Sequence, residues 1–435
     1  MKIVKSLFRC MLAVVFAVSV AAPSLFAADS KDLDLGKWDS NTRAQIQKVI
    51  DENGNKSPNY DAKKKPYAVF DWDQTCIFND TEEALFRYML ANILFKATPK
   101  SFSAAIRKDV PKDNFGKDYN NKAGQPVNVD LVAADLDSDY QYLYDNYIKS
   151  KKQTLAQIKQ TPQFLDWQAK LAYLYEAIGS TFSADVSYPW VLYLFADMTV
   201  AEVKAVSEAS NDVALGDKIG TYTLTSPDSL PGKAGVVSLG GYKWGLRVAP
   251  EMSNLMNVLR ANGIDVYVCS ASHEAVVQVF AGLAKYGYNV PAANVIGMKT
   301  KIKGGKYQAE YDYSNNYPQT QGKGKTTAIT QILVKKYGYD PIFIASDSSG
   351  DYNMATEFAG TKLTLMINRL YANTYGKLGL EAYASYQKKT TPRYVLQGRN
   401  ENTGQFRPSM ATIKMGKTEA DAIVLNATID PNVKK

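Results

Sequence analysis

The chain has 435 residues, of which 46% are apolar and 22% charged, with a formal net charge of +8. That is ordinary globular composition, with room for two domains or for one core carrying a large insertion. No long basic run offers a track for nucleic acid, three cysteines are too few for a disulfide scaffold, and a single histidine, His273, argues against histidine-based metal or triad chemistry.

Lys2, Lys5 and Arg9 precede an apolar run from Met11 to Ala22, then Pro23 and a small-residue exit at Ala27 and Ala28. This reads as a signal peptide over residues 1–28, its apolar run short for a membrane span. The expected mature chain is exported, periplasmic or secreted, with no stable membrane anchor and a formal charge lowered to +5 by the loss of those three basic groups. Cys10 leaves with the leader. Cys76 and Cys269 remain, each beside a motif residue; small buried thiols are expected, and their pairing is open because spacing does not supply a Cα separation. Residues 29–65 are polar, with helical spacing from Thr42 to Ile50 and a turn-rich exit at 51–59, and read as a leader packed on the core.

Tyr67 to Asp80, YAVFDWDQTCIFND, carries the strongest signal. An apolar run ending in Asp71 and Asp73, with Thr75 two residues on, describes a buried parallel strand whose carboxyl end opens into a crevice. One carboxylate there can attack while the other moves a proton, provided a cation keeps them from sharing one. An Asp capping the next helix is the plain alternative for this stretch alone. Thr81 to Phe95 has helical spacing, with Thr81 as its expected cap and Glu82 and Glu83 in its first turn. A long tyrosine-rich helical section follows, its aromatics expected mainly in packing, and Thr221 to Gly245, rich in Gly, Pro and Ser, closes it.

Beyond this point helix and strand alternate: a helix at 251–261, a strand from Asp265 to Cys269 ending in Ser270, a helix at 274–285, a helix at 325–337, a strand at 341–345 ending in Asp347, and a strand at 363–367. The fold class is therefore α/β, a doubly wound parallel sheet with an inserted helical cap. The expected division is a leader at 29–65, a core at 66–80 and 247–375, a cap at 81–246, and a C-terminal extension at 376–435 whose stretch YVLQGRNENTGQF reads as a loop or hairpin. All strand ends of a parallel sheet open on one edge, which gathers Asp71, Asp73, Ser270, Asp347, Asp351 and a lysine, Lys323 or Lys325, in one crevice. Converging carboxylates call for a divalent metal, and oxygen-only ligands point to Mg²⁺.

Asp71-x-Asp73-x-Thr75, then Ser270, then Lys325, then Asp347-Ser-Ser-Gly-Asp351 resembles the motif order of the haloacid dehalogenase superfamily, with the insertion where that superfamily carries its C1-type cap. DWDQT, the Glu82-Glu83 pair, VCSASHEAVV and LQGRNENTG resemble its secreted phosphorylcholine phosphatase branch. The resemblance implies an Mg²⁺-dependent phosphomonoesterase in which Asp71 is the nucleophile and Asp73 the acid and base. Mg²⁺ would be held by Asp71, the Asp73 carbonyl and Asp347, with Asp351 a ligand through water or an orienting group. Ser270 would bind a phosphoryl oxygen, helped by the following helix start, and Thr75 would lie on the substrate side. Lys325 is preferred to Lys323 because its place at a helix start aims it inward. Glu82 and Glu83 are candidates for a quaternary ammonium beside cap aromatics, with Trp72 as pocket or core. A broad acid phosphatase, a phosphoserine-type phosphatase and a phosphomutase are the enzyme alternatives; a non-catalytic secreted ligand-binding protein is the alternative of another kind. Gly324-Lys325-Thr326 is not a nucleotide loop, since Gln319 stands where its leading glycine belongs, and Asp135, Asp137 and Asp139 lack the glycine and glutamate of a calcium loop.

Overall fold

The computed structural model describes residues 32–420; the expected signal peptide, Cys10 and residues 421–435 lie outside the described residues. Six parallel strands form one sheet in the spatial order Tyr394–Gln397, Leu363–Ile367, Phe343–Ser346, Tyr67–Phe70, Asp265–His273, Val295–Met298. Strand order reverses at Tyr67–Phe70: the chain first builds outward through Asp265–His273, then returns to add Phe343–Ser346 on the other side. Loops leaving such a pair diverge, and a crevice opens at their carboxyl ends.

The reading of YAVF as a strand apolar on both faces has a direct cause in its surroundings. Ala68 and Phe70 face helices Ser40–Asn53, Pro250–Ala261 and Glu274–Gly282, while Tyr67 and Val69 face Lys323–Ile329 and Tyr352–Glu357. Helices therefore cover both sides, and all four residues of the strand are fully buried. Burial of each large side chain contributes on the order of 1.5–3 kcal/mol. Between the first two strands the chain leaves through Ile77–Phe78 and returns through Arg247–Val248, which pair antiparallel and clamp the two crossings together.

The inserted segment holds helices Thr81–Asn92, Pro99–Arg107, Val129–Leu143, Pro162–Thr181, Ala184–Tyr193 and Val200–Gly216 around their own core, with Trp167 and Trp190 at its centre. Its glycine-rich end is a hairpin, Gly220–Thr225 with Ser238–Trp244. Of the residues that mimicked a calcium loop, Asp135 and Asp139 are buried among these helices, where Lys170 Nζ lies 2.8 Å from Asp135 and 2.9 Å from Asp166, while Asp137 is partly exposed and pairs with Arg107. No helix among the described residues is long and apolar enough to cross a membrane.

Three local expectations need correction. The stretch YVLQGRNENTGQF is not a loop or hairpin alone: Tyr394–Gln397 is the edge strand of the main sheet, paired with Leu363–Ile367, and helix Thr374–Lys388 packs on it. Only the hairpin Arg399–Asn400 with Gln405–Phe406 fits the expectation. The helix after the first strand is capped by Asp80, whose carboxylate accepts the Glu83 amide, because the Thr81 hydroxyl is taken by the Trp72 indole N–H. The strand carrying Ser270 runs on to His273, so the next helix begins at Glu274 and its first amides are not adjacent to the serine.

Candidate active site

A cleft of about 880 Å³ opens at the carboxyl ends of the central strands, under the cap. Asp71 follows its strand directly, its amide donating to Ala345 O at 2.9 Å and its carbonyl accepting the Cys76 thiol at 3.0 Å. Gln74 and Asn79 then take left-handed backbone, φ +64° and +66°, and close a tight loop through Gln74 N–Asn79 O at 3.1 Å. Non-glycine residues held this way are costly and cluster at functional loops.

Asp71, Asp347 and Asp351 present carboxylate oxygens within 4.8 Å of one another, all buried. Lys325 reaches into them from the start of its helix, bonding Asp71 and lying 2.6 Å from Asp351. Gly324 makes this docking possible, since a Cβ there would meet Gln319 O at 1.7 Å. Both Asp351 oxygens are engaged, one by Lys325 and the other by the amides of Asp347 and Ser348. The Arg369 guanidinium bonds Asp347 from the loop after the next strand.

The charges are unevenly matched. Burial and the neighbouring Asp351 push the Asp71 carboxyl well up, against the pull of Lys325, and burial also raises Asp351. For Asp347 burial works in the same direction, but Arg369 prevails and holds it below the usual carboxylate range. Lys325 stays protonated well beyond its ordinary range: burial opposes its charge, and Asp351 and Asp71 outweigh that. Three carboxylates and two cations in a buried space leave a deficit of positive charge. An all-oxygen donor set of this kind fits a hard divalent cation such as Mg²⁺.

Asp73 lies on the other side of the cleft floor. Its carboxylate accepts from the Thr81 amide at 2.7 Å and the Ser272 hydroxyl at 2.6 Å, with Ser270 at 3.5 Å, yet burial still raises its pKa. The cleft is also lined by Asp80, Glu82, Glu83, Tyr175, Tyr188 and Lys243. Glu82 is 5% exposed; one oxygen accepts the His273 amide at 2.9 Å and the other has no partner. Burial pushes its carboxyl up to about 8. Gln321 ties the core to the cap across this cleft, donating to Asp185 at 2.7 Å.

No family model matches the sequence. The phosphorylcholine phosphatase of Pseudomonas aeruginosa (strain PAO1) is 25% identical over 384 residues, spanning 80% of this chain and 86% of that protein. The crystal structure of a conserved functionally unknown protein from Anaerococcus prevotii DSM 20548 superposes with a TM-score of 0.81 at 30% identity, covering 89% of this chain and 99% of that one. The chain is a homologue of that Pseudomonas phosphatase.

Within this phosphatase the structure sorts the expected residues. Asp71, Asp73, Ser270, Lys325, Asp347, Asp351, Glu82 and Glu83 all line the one cleft. Lys323 also lines the cleft but does not join the acidic group: its side chain is 68% exposed and pairs with Glu357. Thr75, expected on the substrate side, is 1% exposed and absent from the lining; its hydroxyl sits 2.9 Å from Asp71 and 3.0 Å from Asp347 and spaces the two carboxylates from below. Trp72 is core, edge-on to Tyr288 and Phe280. His273 is buried against Phe195 and Tyr307 and caps its helix through Nδ1, and burial lowers its pKa to about 3. Cys76 and Cys269 are both free and buried. Sequence reasoning missed Ser272, Arg369, Tyr175, Tyr188 and Lys243 as cleft residues. Arg369 had a signal, since it stands two residues beyond the strand Leu363–Ile367 on the same sheet edge.

Proposed function

We propose that this phosphatase is an exported, Mg²⁺-dependent phosphomonoesterase that works through an aspartyl-phosphate on Asp71 and takes small alcohol phosphates bearing a quaternary ammonium, phosphorylcholine foremost. The observation that carries the substrate is Glu82, buried with one carboxylate oxygen unpartnered, among the residues lining a cleft that also holds Glu83, Tyr175 and Tyr188. A fixed cation that cannot donate hydrogen bonds is recognised by carboxylate charge and aromatic faces. The leader at 1–28 supports export.

Asp71 attacks phosphorus, and the ester oxygen leaves with the proton of Asp73, whose raised pKa suits a donor. Asp73 then takes a proton from water, which attacks the aspartyl-phosphate and releases phosphate and the free Asp71 carboxylate. Lys325 neutralises charge on Asp71 and on the transferring group, while Ser270 offers a hydroxyl to a phosphoryl oxygen. Mg²⁺ would be held by Asp71, Asp347 and the Asp73 carbonyl, and it supplies neutralisation of phosphoryl charge. The two engaged oxygens of Asp351 favour an orienting role for that residue.

One residue favours a second reading: Lys243, a lining residue of the cleft, would suit a substrate carboxylate, as in a phosphoserine-type ester. A panel of phosphorylcholine, phosphoserine and p-nitrophenyl phosphate, with and without EDTA, tests both. The choline reading expects EDTA-sensitive turnover with phosphorylcholine preferred. Equal use of all three esters, or a preference for phosphoserine, overturns it.

A further inference from the structure

Arg369 lines the cleft beside Asp71, Ser270, Lys325 and Asp347, and the transfer steps above use none of its donors. A guanidinium carries five N–H groups. One bonds Asp347, the other four have no protein acceptor among the described residues, and the side chain keeps 18% exposure. Lys325, by contrast, commits two of its three N–H groups to Asp71 and Asp351. A doubly charged phosphoryl group entering among three carboxylates thus finds one open donor on the lysine and four on the arginine.

The arginine is also held in place. Its guanidinium lies 5.0 Å over the Tyr371 ring, and its carbonyl accepts from Lys414 Nζ at 2.6 Å. The preceding residue, Asn368, is tied twice to the C-terminal tail, donating to Met410 O at 2.8 Å and accepting from the Thr412 hydroxyl at 2.6 Å. Leu370 takes left-handed backbone, φ +57°, its amide closed onto the Asn368 side chain at 3.0 Å. A branched apolar residue keeps that conformation only where its surroundings impose it. The tail, with no chemistry of its own in the sequence, thus braces the loop that aims the guanidinium.

We propose that Arg369 binds the transferring phosphoryl group as the second cation of the site, and that tail residues 410–414 set its position. The planar fork matches two phosphoryl oxygens at once, which an ammonium does not. This deepens the phosphatase reading and rests on the cleft being a phosphoryl site. The competing role is a counter-ion for Asp347 and nothing more.

Calorimetric titration of inorganic phosphate onto the whole chain at saturating Mg²⁺ separates the two, and needs no turnover. Arg369→Gln should weaken phosphate binding roughly tenfold to a hundredfold. Arg369→Lys, which keeps the charge on Asp347, should recover only part of it, and Lys414→Met should fall between. A deficit in the lysine variant also excludes misfolding from an unpaired Asp347. Phosphate affinity unchanged in Arg369→Gln, with only the Mg²⁺ requirement shifted, overturns the proposal, as does a wild-type chain that does not bind phosphate. A chain that binds phosphate through Arg369 but hydrolyses no ester would sink the enzyme reading and leave this one standing.

Discussion

Two lysines, two residues apart, make opposite predictions. Lys325 is 3% exposed and sits between Asp71 and Asp351, themselves 7% and 1% exposed; Lys323 is 68% exposed, and its ammonium pairs with Glu357. Lys325→Met leaves two buried carboxylates without their cation. Breaking a buried pair in this way costs about 3–5 kcal/mol if the charges persist. Removing a preorganised group that faces developing charge costs ~10²–10³ in kcat. Burial already holds the Asp71 carboxyl high with the lysine present, so its loss also starves the site of ionised nucleophile, and the combined loss should reach at least about 10³. Lys323→Met should change stability by under ~1 kcal/mol and kcat by less than about twofold, as an exposed pair does. The assay is p-nitrophenyl phosphate hydrolysis at saturating Mg²⁺, with melting curves for both variants. A Lys325→Met enzyme within tenfold of wild type, or equal damage from Lys323→Met, refutes the placement of the ammonium in the transfer step.

Asp71→Asn keeps shape and removes the nucleophile, so turnover should vanish while inorganic phosphate still binds; full activity in this variant would refute the aspartyl-phosphate. Glu82 is neutral below about pH 8, because burial holds its proton. An ammonium ligand must displace that proton, so the KM for phosphorylcholine should fall as pH climbs from 6 to 8, and Glu82→Gln should flatten the slope; a flat wild-type profile counts against the choline site. In the cap, burial and then Asp166 push the Asp139 carboxyl up to about 9. A raised acid stabilises fully below the ordinary carboxylate range and loses that contribution as pH climbs toward the folded value. Asp139→Asn should therefore melt like wild type near pH 4 and above it near pH 9, by a few degrees for ~1 kcal/mol. A gap between the two that does not widen with pH contradicts the assignment.

The strands and their terminal residues were legible because burial on both faces leaves a continuous apolar run, and a carboxylate directly after such a run is conspicuous. Asp71 and Asp347 follow from that one signal, and Ser270 from the hydroxyl that ends the apolar run 265–269. Lys325 was separable from Lys323 by helical phase, since the apolar Ile329 four residues on turns it inward. Thr75 was not, because sequence spacing places a residue in a loop without saying which way its hydroxyl turns, and here two carboxylates below it compete with the cleft.

The tail was misread for a different reason. YVLQ at 394–397 has the same length as YAVF at 67–70, with three apolar residues to its four, but no carboxylate directly follows it to mark the strand end as chemical. Strand order is what gives it meaning. With Tyr394–Gln397 beside Leu363–Ile367, and that strand beside Phe343–Ser346, the residues after each edge strand come to the same rim as Asp347. Arg369 bonds Asp347 there, and Arg399, one strand further out, donates to Gln74 O in the loop that follows Asp73. Alternating helix and strand shows that strand ends share an edge, whereas only the pairing shows which ends are neighbours. The acidic half of this site follows Tyr67–Phe70 and its neighbour Phe343–Ser346 and could be inferred from the first kind of knowledge. Its arginines come from strands laid down later on one flank, and the second kind was needed to find them.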